Sequence, residues 1–217
     1  MSDSSGHDVD AIRYAVLRKL AAGMRHALMG DLQTIQFSAE LAAKMLESGA
    51  ASTKLEECIR LLPDQTRAAV ASCRAMVEWL RPEDKATTVA EAVQRCMIVA
   101  GDDWSLRGIQ SSSDVRTGNA HVSKPVVQEL LVTAVLALTD TYPGPADIHV
   151  LAEATGDDVL ITLSAKQVER KSPFPPLTSY RALTFADVIA VAAANRAACA
   201  CNDRTITLRL RTLSTAG

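Results

Sequence analysis

One histidine in this chain sits where its type and spacing could do chemistry. His26 lies in the middle of Ala21–Ile35, AAGMRHALMGDLQTI, a strongly helical run. At helical spacing Ala22, His26, Met29 or Gly30, and Gln33 share one stripe, while Leu17, Leu20, Met24, Leu28, Leu32 and Ile35 form an apolar stripe opposite. The imidazole is therefore expected to face solvent. Gly30 costs a helix interior about 1 kcal/mol relative to Ala, and it stands one turn after the histidine, where a bulky side chain would crowd whatever approaches the ring. Exposed imidazole and small neighbours point to a functional histidine. The bland alternative is a surface histidine of no consequence.

The remaining candidates are weaker. His7 lies in a polar N-terminus, His121 on or beside a short strand and His149 on a hairpin, with no carboxylate cluster to join them into a metal site. Ser111-Ser112-Ser113 reads as a loop without the Gly-x-Ser-x-Gly setting of a nucleophile. Trp79 and Trp104 read as packing residues near the domain junction. Cys58, Cys73, Cys96, Cys199 and Cys201 read as reduced core thiols, the last two too close together and too alone for zinc.

Composition sets the outer limits. With 217 residues, 48% hydrophobic and 22% charged, the chain is long enough for one large domain or two small ones. The balance of 23 basic against 25 acidic residues gives a formal charge of −2, which argues against nucleic acid as a partner. MSDSSGHDVD has neither a basic nor an apolar leader segment, and no apolar run approaches the ~18 residues of a membrane span. A cytoplasmic protein is expected.

The elements that must position His26 follow from periodicity. A helix is expected from about Val9 to Glu47, ended by Ser48-Gly49 and on the order of 60 Å long. Ser52 or Thr53 caps a second, Lys54–Leu80, kinked near Pro63. Two such helices as an antiparallel hairpin leave apolar surface bare, which a second copy would cover as a four-helix bundle. Arg81–Lys85 is a polar, proline-bearing break, so domains are expected at 1–82 and 83–217. Beyond it come a helix Val89–Val99, strands Gly108–Ser112 and Asn119–Val122, and a helix Pro125–Asp140. A turn at Tyr142–Pro145, a hairpin of Ile148–Ala152 with Val159–Leu163, and a proline-rich loop Ser172–Pro176 follow. A helix Leu183–Ala198 and a strand Thr205–Leu210 complete an α/β sandwich, and the whole chain is α+β.

Arg25-His26-x-x-Met29-x-x-Leu32-Gln33-x-Ile35, at the start of a long helical hairpin that precedes an α/β sandwich, resembles the H box of bacterial sensor histidine kinases. It is most similar to the version in stand-alone phosphotransferases of the sporulation type. The resemblance covers nearly the whole chain. It implies a homodimerising phosphotransfer hairpin followed by a kinase-like ATP domain, and it departs from the family at the nucleotide site. The metal-binding Asn falls on Leu136. The Asp-x-Gly-x-Gly loop for adenine is replaced by Leu163-Ser164-Ala165-Lys166-Gln167, and the Gly-rich lid by Tyr180-Arg181-Ala182-Leu183-Thr184-Phe185. No nucleotide, cofactor or resident metal is therefore expected. The resemblance implies a phosphorelay protein without autokinase activity. In it His26 exchanges a phosphoryl group with response-regulator receiver domains, which bring their own Mg²⁺, while Arg18, Arg25, Ala22, Met29, Gly30 and Gln33 offset charge or form the docking face. Ala27 stands where the family usually carries the carboxylate that orients the imidazole, and Asp31 is a poor substitute. The alternative is a non-enzymatic, kinase-like dimer that binds and modulates a receiver or a kinase.

Overall fold

The computed structural model describes residues 4–49, 52–80, 83–142, 144–169 and 181–213. The chain divides into two compact units, residues 22–82 and residues 1–21 together with 83–217. The first 21 residues differ from the expected 1–82 division by grouping with the second unit.

The first unit is a helical hairpin. Helix α1, Ser4–Glu47, ends in a turn with Gly49 at φ +64°, and α2, Ser52–Leu80, runs through Pro63 without a break. Within this unit the part of α1 after Ala21 packs antiparallel against α2. Leu28, Leu32 and Ile35 face Thr66, Ala69, Val70, Cys73 and Val77, and the Ser72 hydroxyl donates to Asp31 Oδ2 at 2.9 Å. Ser38, Ala42 and Ala69 are buried.

The second unit is an α/β sandwich of β1 (Ala86–Thr88), α3 (Val89–Leu106), β2 (Gln110–Arg116), β3 (His121–Ser123), α4 (Lys124–Thr141), β4 (Ala146–Thr155), β5 (Asp158–Gln167), α5 (Phe185–Ala194), β6 (Ala198–Asn202) and β7 (Thr205–Arg211). The main sheet has the order β2-β4-β5-β7-β6, with β2 parallel to β4 and the other pairs antiparallel; β1 and β3 form a separate small ladder. Alternate residues, among them Ile148, Val150, Val159, Ile161, Leu163, Ile206 and Leu208, are buried on the sheet's inner face.

Helix α4 explains why residues 1–21 belong here. It is buried almost continuously from Val127 to Thr139, and a helix apolar all round needs cover on more than one side. The sheet covers one side. The first turns of α1 bury Val9, Ile12, Ala15, Val16 and Leu20 and tie themselves to α4 by two ion pairs. Arg13 Nε donates to Glu129 Oε1 at 2.6 Å, and the same carboxylate accepts from Asn195 Nδ2 at 3.0 Å. Lys19 Nζ meets Asp140 at 2.8 Å, with only 11% and 12% of the two side chains exposed, and Asp140 also accepts the Leu183 N–H.

Four expectations are corrected. Helix α3 continues past Val99 to Leu106, through Gly101, because Trp104 is buried in the core and holds the extra turns. The Ser111–Ser113 run is strand, not loop: it lies in β2, an edge strand whose register comes from β4 rather than from an apolar pattern of its own. Helix α5 stops at Ala194 instead of Ala198. Arg196 adopts φ +55°, and the N–H groups of Arg196 and Ala197 return to the carbonyls of Ala193 and Ala192 in a Schellman stop. Residues 198–202, expected as helix end and loop, then form β6. The proline-rich loop 172–176 lies outside the described residues.

Candidate functional site

His26 sits in the hairpin unit on α1, exposed, and no side chain among the described residues hydrogen-bonds it. It is not among the residues lining the groove between the helices. Arg25, Ala22, Met29, Gly30 and Gln33 are exposed along the same stretch, so the expected solvent stripe is present. Arg18 belongs to the other unit, where its guanidinium lies 5.9 Å from the centre of the Tyr14 ring and donates to the phenol oxygen at 3.5 Å.

Gly23 is a member of the site that spacing alone did not single out. It precedes His26 by three residues as Gly30 follows it by four, which puts both on the histidine's face. A Cβ built on either glycine meets nothing within 4 Å. Two glycines inside a helix cost about 2 kcal/mol together, and among the described residues no packing requires either. Phe37, eleven residues after His26, returns to the same face and is 67% exposed, an apolar anchor with no cover of its own.

Asp31 is engaged elsewhere. Its carboxylate accepts the Ser72 hydroxyl across the hairpin, so the one acidic residue within two turns C-terminal of His26 serves the α1–α2 contact. With Ala27 beside the ring, no carboxylate among the described residues hydrogen-bonds the imidazole.

Leu28, Leu32, Ile35, Ala69, Val70 and Val77 line an apolar groove of about 460 Å³ between α1 and α2, with Arg74 at its margin. Leu32 is 47% exposed, and Val70 and Val77 are comparably bare. The apolar stripe is thus only half covered within one chain, as expected for a hairpin of two such helices.

In the sandwich the residues aligned with a nucleotide site are committed to other tasks. Leu136 is a core residue of α4, 6% exposed. Leu163–Gln167 continue β5 in register opposite Val150–Ala146, with no loop. At the start of α5, Thr184 Oγ1 accepts the Asp187 N–H, Asp187 Oδ2 accepts the Thr184 N–H at 2.7 Å, and Arg181 pairs with the same carboxylate. This capping box occupies the helix N-terminus with the chain's own groups. Tyr180 lies outside the described residues.

The other histidines have separate surroundings. His149 Nδ1 shares a 2.9 Å hydrogen bond with Ser112 Oγ on the sheet's open face, His121 stands on β3, and the side chain of His7 lies outside the described residues. Trp104 is buried, whereas the side chain of Trp79 also falls outside. Among the described residues no three His, Cys, Asp or Glu side chains converge as a metal site, and no helix is long and apolar enough to cross a membrane.

No protein-family model and no curated protein sequence matches the chain. Solved structures similar to it include the Acinetobacter baumannii histidine kinase AdeS (TM-score 0.46, 10% identity, 86% of this chain and 97% of that one). A bacterial phosphotransferase is similar over 97% of this chain and 98% of its own, with TM-score 0.42 and 14% identity. Histidine kinase ThkA, solved in complex with response regulator protein TrrA, is similar over 92% of this chain and 63% of that one, with TM-score 0.46 and 10% identity.

Proposed function

We propose that the protein is a histidine phosphotransferase of a two-component phosphorelay. His26 takes a phosphoryl group from the phospho-aspartate of one receiver domain and returns it to another, and the chain neither binds ATP nor phosphorylates itself. The observation that carries this reading is the exposed His26 between two helical glycines whose small size no packing among the described residues requires. Phosphoryl transfer asks mainly for position and charge compensation, and the receiver supplies its own Mg²⁺. An imidazole on a rigid helix, with Arg25 beside it and clearance at Ala22, Gly23, Ala27 and Gly30, meets the first need. Phe37 on the same face offers the receiver an apolar hold. The occupied N-terminus of α5 and the core position of Leu136 support the absence of nucleotide chemistry.

The half-covered groove supports a homodimer in which two hairpins form a four-helix bundle. Incubation of the purified chain with a panel of phosphorylated receivers tests the relay: an acid-labile label on wild type, absent from His26→Gln, is expected. One observation favours a second reading. Because Asp31 is engaged by Ser72 and residue 27 is alanine, the imidazole lacks an orienting carboxylate, as it would in a kinase-like scaffold that binds a receiver without exchanging phosphate. Complex formation with a receiver and no label on any histidine would select that reading.

A further inference from the structure

Strand β6, at the edge of the main sheet, carries two thiols that the relay does not use. Cys199 and Cys201 alternate with the exposed residues Ala198, Ala200 and Asn202, so they share one face of the strand, opposite buried Leu208 and Ile206 of β7. Both are half-buried, and their sulfurs are 3.6 Å apart. Burial pushes the Cys199 thiol up to about 12 and the Cys201 thiol in the same direction, so neither is a ready nucleophile at neutral pH.

Backbone geometry decides what the pair can do. Same-face positions two residues apart on a strand have Cα atoms about 6.6 Å apart, near the outer limit for a disulfide, which also draws the Cβ atoms to roughly 3.5–4.5 Å. Closing that bond would buckle β6 against its ladder to β7. A cation held between the two sulfurs needs no such approach. Zinc would require four ligands, and among the described residues no third His, Cys, Asp or Glu joins the pair. Two soft sulfur donors, which lose their protons only as the metal binds, beside Leu208 and Ile206 suit a soft monovalent cation instead. Among the described residues no strand pairs with the outer side of β6.

We propose that Cys199 and Cys201 form a two-thiolate clamp for a soft monovalent cation of the copper(I) class. Each sulfur exchanges its proton for a bond to the metal, so two R–SH and one M⁺ give [RS–M–SR]⁻ and two H⁺, with no change of oxidation state.

The test is an anaerobic titration of the full chain with copper(I), in competition with a chromogenic copper(I) chelator. One metal per chain, two protons released and a near-ultraviolet thiolate-to-copper band are expected. Cys199→Ser and Cys201→Ser should each weaken binding by more than the roughly 10–100-fold that loss of an outer-shell partner costs, while Cys58→Ser and Cys73→Ser leave it unchanged. Circular dichroism of the variants separates loss of the site from loss of the fold, and the band and proton count on wild type stand independently of any variant. Failure of wild type to compete with the chelator, binding that survives in folded Cys199→Ser and Cys201→Ser, or closure of a 199–201 disulfide in a glutathione buffer in place of metal uptake would overturn the proposal.

Discussion

At the scale of single residues the account turns on clearance around His26. Because a Cβ at Gly30 meets nothing within 4 Å, Gly30→Ala should raise stability by up to about 1 kcal/mol, or a few degrees in melting temperature for a chain of this size. Gly30→Leu should fold as well as wild type yet slow phosphoryl transfer, since its bulk lies only in the path of a partner; calorimetric melting and receiver-labelling rates separate the two effects. Ala27→Glu should accelerate labelling by restoring a carboxylate beside the imidazole. An unchanged rate in that variant would mean that the ring's orientation does not limit the step. The exposure of His26 and the openness at Gly30 were legible from helical spacing. The use of Asp31 was not, because its partner Ser72 is 41 residues away and only the hairpin brings them together.

At the scale of elements, helix ends decide much of the stability and part of the chemistry. Thr184→Ala removes the cap of α5 and should cost about 1 kcal/mol, read as a lower denaturation midpoint. With the capping box intact, Mg-ATP should show no dissociation constant below the millimolar range by calorimetry. Tighter binding would mean that α5 and the lid are open to phosphate. Helix α3 has a similar box, with Glu91 Oε2 accepting from Thr87 Oγ1 at 3.0 Å and from the Thr88 N–H at 3.3 Å. The Thr87 hydroxyl, followed by the Thr88 backbone, holds the Glu91 carboxyl below its ordinary value of 4.5. A depressed carboxyl stabilises the fold above its unfolded value and loses that contribution as pH falls through the folded one. The melting-temperature gap between wild type and Glu91→Gln should therefore narrow as pH drops from neutral to about 3. Helices α1, α2 and α4 and the β4–β5 hairpin were legible because long or alternating apolar patterns mark them. Strand β6 was hidden because Arg196, rather than glycine, takes the left-handed position that ends α5; β2 was legible only in its first half, the strand expected at Gly108–Ser112, because its Ser and Asp residues carry little apolar pattern.

At the scale of the whole molecule, two features follow from how α1 is used. Its first turns complete the sandwich, and the nearly buried Lys19–Asp140 pair is part of that contact. Lys19→Met leaves Asp140 buried without its cation and should destabilise by about 3–5 kcal/mol, with Lys19→Met/Asp140→Leu recovering part of the loss. This division of α1 was not legible in the sequence, since one unbroken helical pattern serves both units. Its later turns leave Leu28, Leu32 and Ile35 half covered, so light scattering should give about twice the 23.2 kDa chain mass, and Leu28→Glu or Ile35→Glu should yield monomer or insoluble protein. The central claim is tested most directly by transfer of phosphate from phosphorylated receiver domains to the purified chain. The account predicts a label on wild type that is acid-labile, chased onto a second receiver and absent from His26→Gln. No label from any cognate phosphorylated receiver, or undiminished labelling of His26→Gln, would contradict it.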